Sequence, residues 1–172
     1  EWGMEQYVRD ARIAQIYEGT NGIQALDLVG RKMPAKAGRN LRRFFHPVQA
    51  YIEANVSKDG LGEFVQPLAK AFMRLQQATG ELAQRGMKNP DEAGAAATEF
   101  LRLFGLVAVG FMWARMAEIA LAKKDDDPDG FYKTKLITAK FYMERILPQS
   151  GALFSAIMAG SKTIMELDED LF

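Results

Sequence analysis

The sequence contains no cysteine, a single histidine and no surplus of charge of either sign. Without cysteine, disulfides, thiolate metal sites and cysteine nucleophiles are excluded, and His46 alone cannot build a multi-histidine metal site. Lysine plus arginine number 22 and aspartate plus glutamate number 22, which argues against nucleic acid or an anionic membrane as partner. The longest apolar stretch, residues 103–114, is interrupted by Gly105 and Gly110 and falls short of the roughly 18 residues of a membrane span.

What the sequence does contain is helical periodicity. Of its 172 residues, 48% are hydrophobic, and in every long segment they recur at steps of three and four, the spacing of an amphipathic helix. Alternating apolar and polar runs joined by hairpin turns are absent. Short connections between long helices favour an all-α fold, an antiparallel helix bundle. The predicted helices span residues 4–16, 20–32, 40–56, 61–86, 92–124, 131–147 and 150–167.

Turn-forming residues divide the chain. Pro34 to Gly38 interrupts the second helix, because proline cannot continue a helix and glycine weakens one. We place a linker at residues 34–40, which separates residues 1–33 from a bundle at residues 41–172. The aspartates at 125–127 lack the spaced ligands and terminal glutamate of a calcium loop, so we predict a solvated turn there and no metal site.

Residues 7–24 carry the one chemically suggestive motif. They read Tyr-Val-Arg-Asp-Ala-Arg-Ile-Ala-Gln-Ile-Tyr-Glu-Gly-Thr-Asn-Gly-Ile-Gln. A single carboxylate, Glu18, lies at the joint between two helical segments. Gly19 and Gly22 would let the backbone approach a ligand closely. The whole string strongly resembles the C-terminal signature of the acyl-CoA dehydrogenases. More loosely, residues 41–172 resemble the extra helical domain that one bacterial branch of that family carries.

The resemblance implies roles for the first residues of this turn. Glu18 stands at the position of the family's catalytic base, which removes the α-proton of an acyl-CoA thioester. Gly19 would lie against the acyl-CoA, and Tyr17 would line the acyl pocket. Residues 1–33 would then be the end of the catalytic helical domain.

The resemblance also implies a flavin. Thr20, Asn21 and Gly22 match the residues that approach FAD in the family. We expect the chain to be the C-terminal part of a cytoplasmic, FAD-dependent acyl-CoA dehydrogenase that is a homo-oligomer, either a dimer or a tetramer. An electron-transferring flavoprotein would accept its electrons. We expect these 172 residues alone neither to retain FAD nor to oxidise acyl-CoA, because residues 1–33 supply only one rim of such a site.

Two alternatives are kept. The chain itself could serve as a helical interaction or oligomerisation module without catalysis, or it could be the tail of an acyl-CoA oxidase, which passes electrons to oxygen. Acyl chain length and the choice of electron acceptor are not encoded in this stretch.

Overall fold

The computed structural model describes residues 3–16 and 21–171, and within these ranges the chain is helical with no strand. The predicted all-α bundle is therefore confirmed. The helices are α1 (Glu5–Arg12), α2 (Asn21–Asp27), α3 (Ala35–Asn55), α4 (Gly62–Gly86), α5 (Pro90–Lys123), α6 (Phe131–Phe141), α7 (Ser150–Ala159) and α8 (Lys162–Met165). A π-helical turn, Leu28–Lys32, extends α2, and a second one, Tyr142–Ile146, extends α6.

Helix α5 is the centre of the bundle and packs against α2, α4, α6 and α7. Its predicted inward stripe is confirmed at Phe100, Leu103, Val107 and Ala114, which are fully buried. By length and composition α5 could cross a membrane, with a mean hydropathy of 1.5 over an 18-residue window. The core helix of a water-soluble protein has the same character, and the contacts of α5 on several sides are those of a core helix.

An aromatic cluster joins α3 to α4 and α5. The Phe44 and Phe104 ring centroids lie 4.8 Å apart, and Phe45 meets Phe72 edge-on at 5.3 Å. Such edge-on and offset arrangements suit the ring quadrupoles. The cluster fixes α3 against the two longest helices.

The stretch predicted as a linker folds into a left-handed corner. Lys36 and Ala37 have φ of 52° and 53°, and Gly38 has φ of 73°. The Arg42 Nη1 donates to the Ala37 carbonyl oxygen at 2.7 Å, which holds the corner in place. The right-handed part of α3 therefore begins only after Gly38. The division into domains at residues 34–40 remains a prediction.

The last predicted helix, residues 150–167, is wrong in one respect. The chain leaves the helix at Gly160, where φ is 76° and ψ is −169°, a region that only glycine adopts readily. Beyond it, the Ser161 hydroxyl and amide donate to Glu92 Oε1 at 2.6 and 3.2 Å. The Arg85 Nη1 donates to the Met158 carbonyl oxygen at 3.0 Å. Groups on α4 and α5 thus end α7 and start a separate short helix, α8.

Candidate functional site

Four of the six predicted site residues lie outside the described residues. These are Tyr17, Glu18, Gly19 and Thr20, and their predicted roles remain predictions. The other two, Asn21 and Gly22, form the start of α2, and both are exposed. A Cβ built on Gly22 would have no atom of the described chain within 4 Å, so the space beside this backbone is open to a ligand.

Helix α2 is anchored to the bundle immediately after the motif. Ala25 is fully buried, and α2 and its π-turn pack on α5. At the end of α2, the Asp27 carboxylate accepts hydrogen bonds from Arg31. It also forms an ion pair with Lys32, whose Nζ lies 3.2 Å from Asp27 Oδ2. The hydrogen bond from Arg31 is the main reason that the pKa of Asp27 lies below its usual value. Asn21 and Gly22, the described residues of the motif, therefore lie within two helical turns of these anchoring contacts.

Helix α1 differs from α2 because it contributes no buried residue. Its apolar side chains face solvent: Met4 is 57% exposed and Val8 is 67% exposed. After the motif, Ile23 is 57% exposed as well.

A groove of about 670 Å³ lies where α2, the left-handed corner and the α4–α5 connection meet; we call it the junction groove. One wall comes from residues 26–41 and the other from residues 79–94. Its lining is Leu26, Val29, Gly30, Met33, Pro34, Ala37, Gly38, Leu41, Thr79, Leu82, Ala83, Gly86, Met87, Pro90, Ala93 and Gly94. No residue of this set is charged. Sequence reasoning missed the groove, because its walls come from two stretches that only the fold brings together.

Three further polar groups lie away from the motif, on Tyr142, Tyr51 and Asp127. The Tyr142 hydroxyl donates to the Leu106 carbonyl oxygen at 2.9 Å, and burial raises its pKa to about 12. Tyr51 is half-buried, and burial is the main reason that its pKa is raised, with the nearby Glu118 carboxylate adding to the effect. In the acidic turn, Asp127 Oδ2 accepts the backbone N–H of Lys133 at 2.9 Å, which fixes the first turn of α6.

No group of three or more potential metal-ligating side chains occurs among the residues that the structure describes. His46 is exposed on α3, next to Pro47. The described residues therefore offer no metal chemistry to combine with the Glu18 carboxylate.

Comparison with known proteins gives matches along the chain. Residues 44–168 match the family described as acetyl-CoA dehydrogenase C-terminal like. The chain is 37% identical over 162 residues to 3-methylmercaptopropionyl-CoA dehydrogenase of Ruegeria pomeroyi, covering 91% of this chain and 27% of that protein. It is 31% identical over 182 residues to the broad-specificity linear acyl-CoA dehydrogenase FadE5 of Mycobacterium tuberculosis, covering 100% of this chain and 30% of that protein.

A more distant relative is a butyryl-CoA dehydrogenase of Syntrophomonas wolfei, 24% identical over 177 residues, with 100% of this chain and 29% of the relative covered. The chain thus spans less than a third of the length of each of these relatives.

Proposed function

The chain belongs to the family of acetyl-CoA dehydrogenase C-terminal-like domains, and from this membership we propose that it is the C-terminal part of an FAD-dependent acyl-CoA dehydrogenase. The observation that carries the proposal is the combination of that family match over residues 44–168 with the Tyr-Glu-Gly-Thr-Asn-Gly turn at residues 17–22. The proposed reaction is α,β-dehydrogenation of an acyl-CoA thioester, with Glu18 as the general base.

The chemistry requires a base and a means to stabilise negative charge. The α-proton of a thioester is a weak acid, so the Glu18 carboxylate must be held against it in surroundings dry enough to raise its pKa. As the C–H bond breaks, negative charge grows on the thioester oxygen. The backbone N–H of Glu18 would donate to that oxygen and stabilise the charge. Tyr17 and Gly19 would bind and orient the acyl chain.

Asn21 and Gly22 fit the edge of a flavin site as far as the structure describes them, because both are exposed and the space beside Gly22 is open. With Thr20, they would hold the FAD. When bound, FAD supplies the acceptor for the β-hydride. These residues form one rim of a flavin site, so we expect the 172-residue chain alone to be colourless. A stoichiometric flavin absorbance band after purification would contradict this expectation.

The base is tested in the full-length enzyme by Glu18→Gln, with Glu5→Gln as matched control. Glutamine preserves the side-chain shape but cannot accept the α-proton, so anaerobic flavin reduction by substrate in a single turnover should slow by about 10²–10⁴-fold. Glu5 is exposed and pairs with Arg9 at 3.7 Å on α1, and its substitution should leave the rate unchanged. Reduction of the Glu18→Gln flavin at nearly the wild-type rate would place the base elsewhere.

The electron acceptor and the assembly are further parts of the proposal. We propose an electron-transferring flavoprotein as acceptor and a homo-oligomeric enzyme in the cytoplasm. An acyl-CoA oxidase would keep the same base, so the two activities are separated by hydrogen peroxide release during turnover in air without another acceptor. Little or no peroxide is the outcome expected of a dehydrogenase.

A further inference from the structure

The junction groove has a lining of apolar and small residues, a composition that favours an apolar occupant over a phosphate-bearing one. None of its lining residues carries a positive charge, and CoA and FAD both contain phosphates that call for cationic side chains or oriented N–H donors. Its one side-chain hydroxyl, on Thr79, donates to the Leu75 carbonyl oxygen at 2.7 Å within α4. The groove therefore suits an apolar surface rather than a cofactor.

The groove walls allow close approach of another backbone. Gly30, Ala83, Gly86 and Gly94 leave much of the surface free of long side chains. Small residues of this kind let a second helix lie close, where dispersion contacts are strongest. Met87, which is 83% exposed beside the groove, is unbranched and adapts its shape to a neighbouring surface.

A strained corner lines the same groove. Lys36 and Ala37 adopt left-handed backbone angles, which are unfavourable for residues with a Cβ. Such strain persists where surrounding contacts over-determine it. Within the described residues, the corner is held by the Arg42 hydrogen bond and by a long backbone bond from Gly38 to Pro34 at 3.4 Å. An occupant of the groove would add contacts at Ala37 and Gly38.

We propose that the junction groove seats an apolar helix face from the part of the same polypeptide that precedes residue 1, and so docks the catalytic portion onto the bundle. The proposal rests on the proposed function. The relatives are more than three times as long as this chain, so most of such an enzyme lies outside it. On α2, Leu26 in the groove and Ile23 beside the motif are both exposed, and their spacing of three residues puts them on the same side of the helix.

These 172 residues contain no cysteine, so a cysteine introduced among them can be followed in a thiol-protection experiment through the peptide that contains it. Ala83→Cys places a thiol in the groove, and Ala122→Cys places one at an equally exposed position, roughly 42 Å from Gly94 along α5 at 1.5 Å per residue. In the full-length enzyme, N-ethylmaleimide should label position 83 at least about tenfold more slowly than position 122, because a covered site reacts only when it opens locally. In urea, and in the 172-residue chain, the two positions should react alike.

Equal labelling of both positions in the folded full-length enzyme would overturn the docking proposal. The proposal would also be overturned if position 83 were labelled slowly in the 172-residue chain and this protection increased with protein concentration, because a second copy of the chain would then be the occupant. Flavin reduction by acyl-CoA, measured on the same Ala83→Cys protein, tests the function separately. An active enzyme with an unprotected groove refutes only the docking, and a protected groove in an enzyme that does not oxidise acyl-CoA refutes only the function.

Discussion

Gly160→Ala and Gly105→Ala should change stability in opposite directions, although both replace a glycine in a segment that the sequence predicts as helix. Gly160 has φ of 76° and ψ of −169°, and an alanine held there costs about 1–3 kcal/mol. Its Cβ would also lie 2.9 Å from Glu92 Oε2. Glu92 would then have to move away from Ser161, which adds to the loss.

Gly105 is the matched control. It is exposed in the middle of α5, and a Cβ there would meet no atom of the described chain within 4 Å. Alanine in a helix interior is about 0.5–1 kcal/mol more stable than glycine, so this variant should gain that amount. At about 2–4 °C per kcal/mol for a chain of this size, Gly160→Ala should melt about 2–12 °C below the wild type, and Gly105→Ala about 1–4 °C above it.

The assay is urea and thermal unfolding followed by circular dichroism at 222 nm. The slope of the unfolding free energy against urea should be the same in all three proteins, so that a shift in midpoint reports stability. If Gly160→Ala were stabilised as Gly105→Ala is, the helix would run through residue 160. The sequence prediction of one helix over residues 150–167 would then be right, and the break described above would be refuted.

Four further substitutions test other parts of the structure. Ala37→Gly should stabilise the chain by about 0.5–1 kcal/mol, because glycine removes the left-handed strain, and this gain exceeds the greater entropy that glycine loses on folding. Chemical denaturation measures the change, and a loss of stability would place Ala37 in ordinary helix. The pKa of Glu92 is lowered chiefly by the hydrogen bonds from Ser161. The ionised Glu92 carboxylate therefore stabilises the folded chain fully above its ordinary pKa of 4.5, and this contribution is lost as the pH falls through the lower pKa of the folded state. Glu92→Gln should therefore flatten the acid side of the stability profile, and unchanged steepness would argue against the pairing. Leu103→Asp, in the buried core, should cost more than about 3 kcal/mol, whereas the exposed Asp126→Asn should change stability by less than about 0.5 kcal/mol; equal effects would mean that the inward face of α5 is wrong.

The long helices were predictable because their signals are local. The stripe of α5 follows from apolar residues three and four positions apart, and Asn89-Pro90-Asp91 marks its start. The cap is Asn89, whose side chain accepts the Asp91 backbone N–H at 3.1 Å. Pro90 is a local signal for this start, because proline is favoured in the first helical position.

The breaks in the helices were not predictable because distant groups cause them. The chain leaves the helix at Gly160, and the backbone N–H of the next residue, Ser161, donates to Glu92, which is 69 residues away in sequence. Gly110 and Gly105 show the same limit, since both interrupt the same apolar stretch. A Cβ on Gly110 would lie 3.4 Å from Leu147 and 3.5 Å from Leu68, whereas a Cβ on Gly105 would meet no atom of the described chain within 4 Å. Periodicity places a residue on a helix face, but it does not say which face another helix covers.

Helix α2 is the physical link between the bundle and the proposed catalytic turn. Gly22 at its start belongs to the motif, Ala25 is buried against the bundle, and Leu26 lines the junction groove. These residues span one helical turn, a rise of about 6 Å, and a helix does not stretch over so short a distance. The contact of α2 with α5 and any contact made in the groove therefore act directly on the position of Gly22. In the proposed enzyme, α2 would pass this constraint on to the turn that carries Glu18.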